Sequence, residues 1–356
     1  MPRRLQREAL RACCIVGTMN DSMRALQATA FSIDALRLTQ RPVPQPRRGE
    51  VLVRLRASSL NHRDLSILTE NYLPSLALPY VPASDGAGEV AALGEGVTRW
   101  RVGDRVVPVY TQGWHDGLPT PEMRARRTLG GPLEGTLQDQ LLIPEDDAVA
   151  TPPSLSDAEA ATLPIAALTA WSTLVEGGVK PGATVLVQGT GGVALFALQF
   201  AKAAGAFVIA TSSSDEKLPR LKALGADVVI NYRSDDNWPQ AAKAATGGRG
   251  VDIIVETGGA TLPQSLAAAA FGGFVGVVGF VAGYEATFGV RQLLGPMLRV
   301  QGIAVGSRAR FEAMNRVIEQ HGIKPVIDSS FALGDTADAF RRMASGRHFG
   351  KIVITH

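Results

Sequence analysis

The chain has 356 residues, of which 46% are hydrophobic and 19% charged, a profile typical of a soluble globular protein with about two domains. Its formal charge of +3 gives no sign of a large surface for nucleic acid or an anionic membrane. Its two cysteines exclude a disulfide scaffold and any zinc site built from three or four thiolates.

Residues 1–22 are rich in arginine and contain both cysteines, Cys13 and Cys14. The apolar patch Ala12–Gly17 is shorter than the ~7–15 residues of a signal-peptide core. We therefore predict a disordered extension over 1–22 and a cytoplasmic protein, with a targeting leader as the alternative. A cleaner strand pattern begins at Met23.

The first half of the chain has the pattern of a β-rich domain. Val51–Ala57 alternates apolar and polar residues, and Gly86–Val90 and Val102–Val107 have the pattern of short strands joined by glycine turns. These segments predict a twisted, barrel-like sheet.

The segment from Tyr110 to Pro132 is long, polar and rich in glycine and proline. Loops of this length in compact domains are commonly lids or disordered segments. Tyr110 and Trp114 within it would either contact a hydrophobic substrate or anchor the loop.

After Pro164 the pattern changes to apolar strands that alternate with helices. The predicted strands are Ala183–Gln188, Phe207–Thr211, Val228–Tyr232, Val251–Glu256 and Phe274–Gly279. Strands without polar alternation, separated by helices, indicate a parallel sheet covered on both faces, hence a doubly wound α/β domain. We place this domain at 166–305. Residues 23–165 and 306–356, which end in the predicted strand Gly350–Ile354, would form the β-rich domain.

The first strand of this series leads into Gly189-Thr190-Gly191-Gly192-Val193-Ala194, which fits the dinucleotide-binding pattern G-x-G-x-x-G/A. Gly189 would allow the tight turn, Gly191 would let the backbone approach a pyrophosphate, and Ala194 would let the helix pack on the sheet. The helix start at Gly192 and Val193 would offer free N–H groups to phosphate. A purely structural glycine turn is the alternative.

The end of the next strand distinguishes NADPH from NADH. An NAD site has Asp or Glu there, but this strand ends in Thr211-Ser212-Ser213-Ser214, followed by Lys217. Hydroxyl donors and a lysine suit a 2′-phosphate, so we predict NADPH, with Ser212, Ser214 and Lys217 at the phosphate. Ser213 and Glu216 also have the spacing of a helix capping box, which is compatible with that role.

From Met23 to His356 the chain resembles the medium-chain dehydrogenase/reductase superfamily, specifically its zinc-free, quinone-oxidoreductase-like branch. The matching segments are Asn61–Asp64, Ala83–Val90, Val102–Val106, Leu168–Trp171, the glycine turn, Leu224–Asp227 and Gly350–Val353. The resemblance implies a GroES-like catalytic domain, a Rossmann domain and a cofactor cleft between them. It also implies a homodimer formed through the edge of the Rossmann sheet.

The resemblance assigns further cofactor contacts. It places Tyr232 and Lys351 near the adenosine phosphate, Thr169 beside the nicotinamide, and Gly258 and Phe280 along the groove with their backbone.

At the positions of the zinc ligands of related alcohol dehydrogenases, this chain has Asn61 and the pair Ser84-Asp85, and Ile165–Leu168 supplies no further ligand. Amide, hydroxyl and aliphatic groups are poor zinc ligands, so no metal is expected. His62 and His115 remain only as isolated histidines.

Without a metal, hydride transfer to a quinone, enone or related activated carbonyl is easier than alcohol oxidation, because no alkoxide must first be generated. Asn61 is the candidate donor to the substrate oxygen, with a turn residue as the alternative. Tyr72 is the candidate proton donor, unless it merely packs. Asp64 and Asp85 are expected to be structural acceptors. The alternative functions are an NADP-dependent alcohol dehydrogenase and a non-catalytic NADPH-binding redox sensor.

Overall fold

A computed structural model describes residues 22–70 and 72–356. The predicted extension lies outside the described residues apart from Ser22, which begins the first strand. The strands are β1 Ser22–Ala28, β2 Leu36–Pro42, β3 Glu50–Ser59, β4 Asp85–Leu93, β5 Arg105–Pro108, β6 Gln140–Pro144, β7 Ala148–Ala150, β8 Thr184–Gln188, β9 Phe207–Ser212, β10 Val228–Asn231, β11 Val251–Glu256, β12 Ala269–Val277, β13 Arg299–Gly302, β14 Ile327–Ala332 and β15 Lys351–Thr355. The helices are α1 His62–Thr69, α2 Pro121–Arg126, α3 Asp157–Ala160, α4 Leu168–Gly177, α5 Gly192–Ala203, α6 Leu218–Ala223, α7 Trp238–Ala244, α8 Leu262–Ala268, α9 Arg291–Leu294, α10 Arg308–His321 and α11 Thr336–Ala344.

The strands β8 to β13 form one parallel sheet in the order β10-β9-β8-β11-β12-β13. Every residue of β8 is buried. Its Leu186 packs in one apolar cluster, whereas Val185 and Val187 pack in another. The sheet is therefore covered on both faces, and the predicted doubly wound domain class is confirmed.

The strand β12 begins at Ala269, five residues before the predicted start. Its pairing with β11 is irregular between Val251 and Ile253, and Gly272 within it has a φ of +73°. The glycines that obscured the strand in the sequence thus mark an irregularity inside it.

The second large sheet contains the strands β14-β15-β3-β4-β5-β7, and β6 pairs with β3. The two outermost strands at one side, β14 and β15, come from the end of the chain, so the chain returns to its first half. Gly88 in β4 faces Arg54 so closely that a Cβ atom would lie 2.0 Å from the Arg54 carbonyl oxygen. This sheet is the β-rich unit that the sequence predicted.

The parallel sheet with its helices and the β-rich sheet are the two units of the chain, and they meet at the glycine turn. The N–H of Gly350, at the start of β15, donates to the Thr190 carbonyl at 2.9 Å. The turn from one sheet thus contacts β15 from the other, and Lys351 of β15 links it to Asn61 at the start of α1; we refer to this junction as the cleft.

The segment 110–132 is an ordered loop that contains α2. Tyr110 and Trp114 are buried, and the Trp114 indole N–H donates to the Gly117 carbonyl at 2.9 Å. These contacts favour the anchoring role over substrate contact. No helix within 22–70 or 72–356 is long and apolar enough to cross a membrane.

Candidate active site

The glycine turn has the conformation that dinucleotide binding requires. Gly189 has a φ of +81°. Gly191 is the N-cap of α5 without any side-chain cap, and a Cβ atom there would meet nothing within 4 Å. Gly192 and Val193 open α5, so their N–H groups lie in its first turn, at the positive end of the helix dipole. The residues fit a bound pyrophosphate.

At the predicted adenosine end, the side chain of Ser212 is buried and binds the backbone of its own turn. Its hydroxyl accepts from the Ser214 N–H at 3.2 Å. Ser214, rather than Ser213, is the N-cap of the short 3₁₀ turn Asp215–Lys217, and it makes no side-chain cap bond. The capping-box interpretation is therefore wrong. Tyr232 is half-exposed beside this turn, and its N–H donates to the Ser212 carbonyl at 3.0 Å.

The ammonium group of Lys217 contacts the end of the chain. It donates to the His348 carbonyl at 2.9 Å and to the Gly346 carbonyl at 3.4 Å. Burial is the main cause that lowers its pKa. Arg347, between those two carbonyls, is exposed. The sequence reasoning missed this arginine because it lies 130 positions from Lys217 along the chain.

Lys351 lies elsewhere than expected. Its stem packs against the glycine turn, since a Cβ atom on Gly192 would lie 2.5 Å from the Lys351 Cδ. Its buried ammonium group donates to the Leu60 carbonyl and to Asn61 Oδ1, both at 2.6 Å. The side chain thus crosses from the turn to the start of α1, because a buried ammonium group needs oxygen acceptors and these are the ones within its reach.

Asn61 is the N-cap of α1, which agrees with the turn-residue alternative. Its main-chain N–H donates to Asp64 Oδ2 at 2.9 Å. Its side-chain oxygen is held by Lys351, while Nδ2 is buried, makes no hydrogen bond of normal length and lies on the side of Asp85, whose pKa it lowers. Because an ammonium group only donates, the carboxamide is fixed with its oxygen towards Lys351 and its NH₂ group turned away.

Asp85 is fully buried beside this lysine. Its Oδ2 lies 3.9 Å from the Lys351 Nζ and accepts from the Ile165 N–H at 3.3 Å, whereas Oδ1 has no partner. Burial raises the pKa of Asp85 to about 7, although Lys351 and the Asn61 amide act to lower it. Burial lowers the pKa of Lys351.

The other expected acceptor, Asp64, is also engaged. Ser84 donates to Asp64 Oδ1 at 2.6 Å and itself accepts from Arg63. In the part of the chain that the structure describes, no group of three or more His, Cys, Asp or Glu side chains is arranged to hold a metal ion. The isolated histidines have other contacts: His115 lies 3.2 Å from Asp147, and His62 packs on Phe280.

Phe280 joins the two units at the mouth of the cleft. Its ring stacks on Tyr72 at a centroid distance of 5.5 Å and on Tyr284 at 4.6 Å. The Tyr284 hydroxyl donates to Glu70 at 2.7 Å. Tyr72 therefore lies beside the groove that Phe280 was expected to line, and Tyr284 and Glu70 are contacts for which the sequence gave no signal.

Two further residues expected at the cofactor, Thr169 and Gly258, make hydrogen bonds within the fold. Thr169 is buried in α4, where its carbonyl accepts from the Thr173 hydroxyl at 2.7 Å. The N–H of Gly258 donates to Glu256 Oε1 at 2.7 Å, so it is not free for a ligand. Glu256, at the end of β11, was not recognised from the sequence as part of the site.

Two regions of the chain match known families. Residues 47–153 match the alcohol dehydrogenase GroES-like domain, and residues 192–320 match a domain described as zinc-binding dehydrogenase. A zinc-type alcohol dehydrogenase-like protein of Schizosaccharomyces pombe is 44% identical over 90% of this chain and 95% of that protein. A chloroplastic quinone-oxidoreductase homolog of Spinacia oleracea is 30% identical over 93% of this chain and 98% of that protein. The chain belongs to the medium-chain dehydrogenase/reductase superfamily, a family of oxidoreductases.

Solved structures agree with this assignment. A protein of Sinorhizobium meliloti 1021 described as a candidate alcohol dehydrogenase has 46% identity and a TM-score of 0.89, covering 95% of this chain and 100% of that chain. An NAD-dependent alcohol dehydrogenase has 35% identity and a TM-score of 0.85, covering 94% and 100%. A 2-octenoyl-CoA carboxylase reductase in complex with NADP has 26% identity and a TM-score of 0.82, covering 95% and 88%. Structures of this fold thus include proteins that use either nicotinamide cofactor.

Proposed function

We propose that this protein is an NADPH-dependent, metal-independent reductase of quinones, enones or related activated carbonyl compounds. The observation that carries the proposal is the bond of 2.6 Å from the buried Lys351 ammonium group to the Asn61 amide in the cleft. An oriented amide beside a fixed positive charge suits a reaction that builds negative charge on a substrate oxygen.

The preference for NADPH is supported by the turn that follows β9. No carboxylate ends this strand, and the serines of the turn are followed by Lys217, whose ammonium group contacts the carbonyl next to the exposed Arg347 in the chain. Positive charge and hydroxyl donors suit a 2′-phosphate, which a carboxylate would repel.

The independence of metal is supported by the donors at the expected ligand positions, although the matched family and one relative carry zinc in their descriptions. The Asn61 oxygen is bonded to Lys351, and the Ser84 hydroxyl is bonded to Asp64 and Arg63. Lys351 also lies 3.9 Å from Asp85, the remaining carboxylate. Hydroxyl and amide oxygens beside an ammonium group do not fit zinc.

NADPH, when bound, supplies hydride by its own chemistry. The residues of the chain orient the acceptor and handle the charge and the proton. The Asn61 NH₂ group, a buried donor that makes no hydrogen bond of normal length, donates to the acceptor oxygen, and Lys351 stabilises the negative charge that forms there. Tyr72, beside Phe280 at the cleft mouth, donates the proton that completes the reduction.

The test is an activity screen with chelator-treated protein whose zinc content has been measured. We expect NADPH oxidation with quinones and enones, a lower kcat/KM with NADH, and no activation by added zinc. Asn61→Asp keeps the oxygen that faces Lys351 and removes the NH₂ donor, so kcat should fall by about 100-fold. Failure to bind NADPH, or activity that requires stoichiometric zinc, would refute the proposal.

An NADP-dependent alcohol dehydrogenase is the second candidate, favoured by the descriptions of two relatives. Product analysis with primary and secondary alcohols plus NADP distinguishes it. Tight NADPH binding without turnover of any acceptor or alcohol would instead indicate a redox sensor.

A further inference from the structure

We propose that Gln188 and Glu256 are positioning residues that hold the nicotinamide half of the dinucleotide groove in shape. We define this groove as the glycine turn 189–194 together with the segments that follow β9 and β11. The inference rests on the proposed function only in that a nicotinamide dinucleotide binds there.

Glu256 is a fully buried carboxylate whose two oxygens are both occupied. Oε1 accepts from the N–H groups of Gly258 and Gly259, at 2.7 and 3.0 Å, and from the Thr261 hydroxyl at 2.6 Å. Oε2 accepts from the Gln188 amide at 2.9 Å and from the Ser265 hydroxyl. The whole segment 257–261 is thus folded around one side chain.

Gln188 links this segment to the glycine turn. It is the last residue of β8, directly before Gly189. Its Oε1 accepts from the Thr257 N–H at 3.0 Å, and its carbonyl accepts from the Thr257 hydroxyl at 3.2 Å. Because its NH₂ group donates to Glu256, both ends of the amide are used and its orientation is fixed.

These contacts lie where the strand order reverses, since β8 has β9 on one side and β11 on the other. A dinucleotide spans such a point, with adenosine over β9 and nicotinamide over β11. The segment 257–261 also holds the next loop: the Ala282 N–H donates to the Gly258 carbonyl at 2.8 Å, and that loop carries Phe280. The network therefore holds the segments on the nicotinamide side of the groove in place. It does not include the segment that follows β9 on the adenosine side.

The donors around Glu256 explain why this position requires a carboxylate. All five contacts to its oxygens come from N–H or O–H groups. In Glu256→Gln, the new NH₂ group would face the NH₂ group of Gln188. Gln188 cannot turn over without losing its bond from Thr257.

The experiment compares two ligands by calorimetry: NADPH and its adenosine fragment, adenosine 2′,5′-bisphosphate. For Glu256→Gln we expect the Kd of NADPH to rise at least ~10-fold, while the Kd of the fragment changes less than ~2-fold. If the wild-type protein prefers NADH, the same comparison is made with NADH and AMP, so a wrong cofactor assignment does not affect the test.

The double variant Gln188→Glu/Glu256→Gln restores a pairing of donor with acceptor between the two side chains. It should recover NADPH affinity to within ~3-fold of wild type. Thr336→Val is the matched control, because it removes a buried hydroxyl that donates to the Leu333 carbonyl at 2.8 Å outside the groove, and it should leave both Kd values within ~2-fold.

Thr261→Val, which removes a single donor to Oε1, replaces Glu256→Gln if that variant does not fold; we expect a selective ~3-fold rise in the Kd of NADPH. Equal weakening of both ligands, unchanged NADPH affinity in a folded variant, or a double variant that shows no recovery would each overturn the inference.

Discussion

At the scale of single residues, Asp85 is the side chain with the clearest expected pH dependence. Burial raises its folded-state pKa from 3.8 to about 7. Between these values the folded protein keeps a proton that the unfolded chain releases, so its contribution to stability is lost as pH rises from about 4 to 7.

Asp85→Asn removes this titration. We expect the free energy of unfolding of wild type to fall, relative to that of the variant, between pH 5 and pH 7.5 in urea titrations. Asp236→Asn, at an exposed aspartate, is the control and should follow wild type. Parallel curves for wild type and Asp85→Asn would contradict the prediction.

Single residues also differ in how far their roles could be predicted from the sequence. The identities of Asn61, Ser84 and Asp85 could be interpreted from the sequence, because the chemistry of zinc ligands depends on residue type. The partner of Asn61 could not, since Lys351 lies 290 positions away and its direction is set by packing against Gly192. Likewise, nothing local indicated that Glu256 folds the segment after β11 around itself.

At the scale of elements, the glycine turn separates two roles that look alike in the sequence. Gly191 has an ordinary extended conformation, with φ −79° and ψ 176°, and open space where a side chain would lie. Gly192 instead faces the buried stem of Lys351. The absent side chain of Gly191 leaves space for a ligand, whereas that of Gly192 leaves space for the Lys351 side chain.

Valine at the two positions should therefore affect different properties: ligand binding at position 191 and stability at position 192. Gly191→Val should change the free energy of unfolding by less than ~1 kcal/mol but weaken NADPH binding at least ~10-fold. Gly192→Val should cost ~1–3 kcal/mol through overpacking against Lys351. Chemical unfolding and calorimetry measure the two effects, and equal destabilisation by both variants would contradict this assignment.

Elements with a continuous apolar pattern were the most predictable. The strand β11 has the predicted bounds, and β8 and β9 differ by one residue, because these buried strands consist mainly of apolar residues. The strand β12 was misplaced because its glycines resemble a turn, although the backbone continues through them. For the loop 110–132 the sequence could not distinguish a residue that contacts substrate from one that anchors the loop, because only tertiary packing decides whether Trp114 is buried.

At the scale of the whole molecule, we propose that two copies of the chain pair through β13. Among the residues that the structure describes, this strand is the last in the parallel sheet and has β12 as its one neighbour. Apolar side chains on and before it are exposed: Val290 by 67%, Leu294 by 71%, Met297 by 64% and Val300 by 38%. An unpaired edge beside an apolar surface is a favourable place for a second copy to add its own edge strand.

Sedimentation velocity tests this arrangement. Wild type should sediment as a dimer, whereas Met297→Lys/Val300→Lys should sediment near the 37.6 kDa of one chain, because two buried ammonium groups would face their symmetry copies without partners. Leu38→Lys replaces an apolar side chain that is 50% exposed in β2, which pairs with β1 outside both large sheets, and should leave the dimer intact. The NADPH affinity of the monomeric variant should stay within ~3-fold of wild type, because the groove lies at the strand ends and not at the sheet edge. A wild-type monomer, or a dimer that persists in the double variant, would refute pairing through this edge.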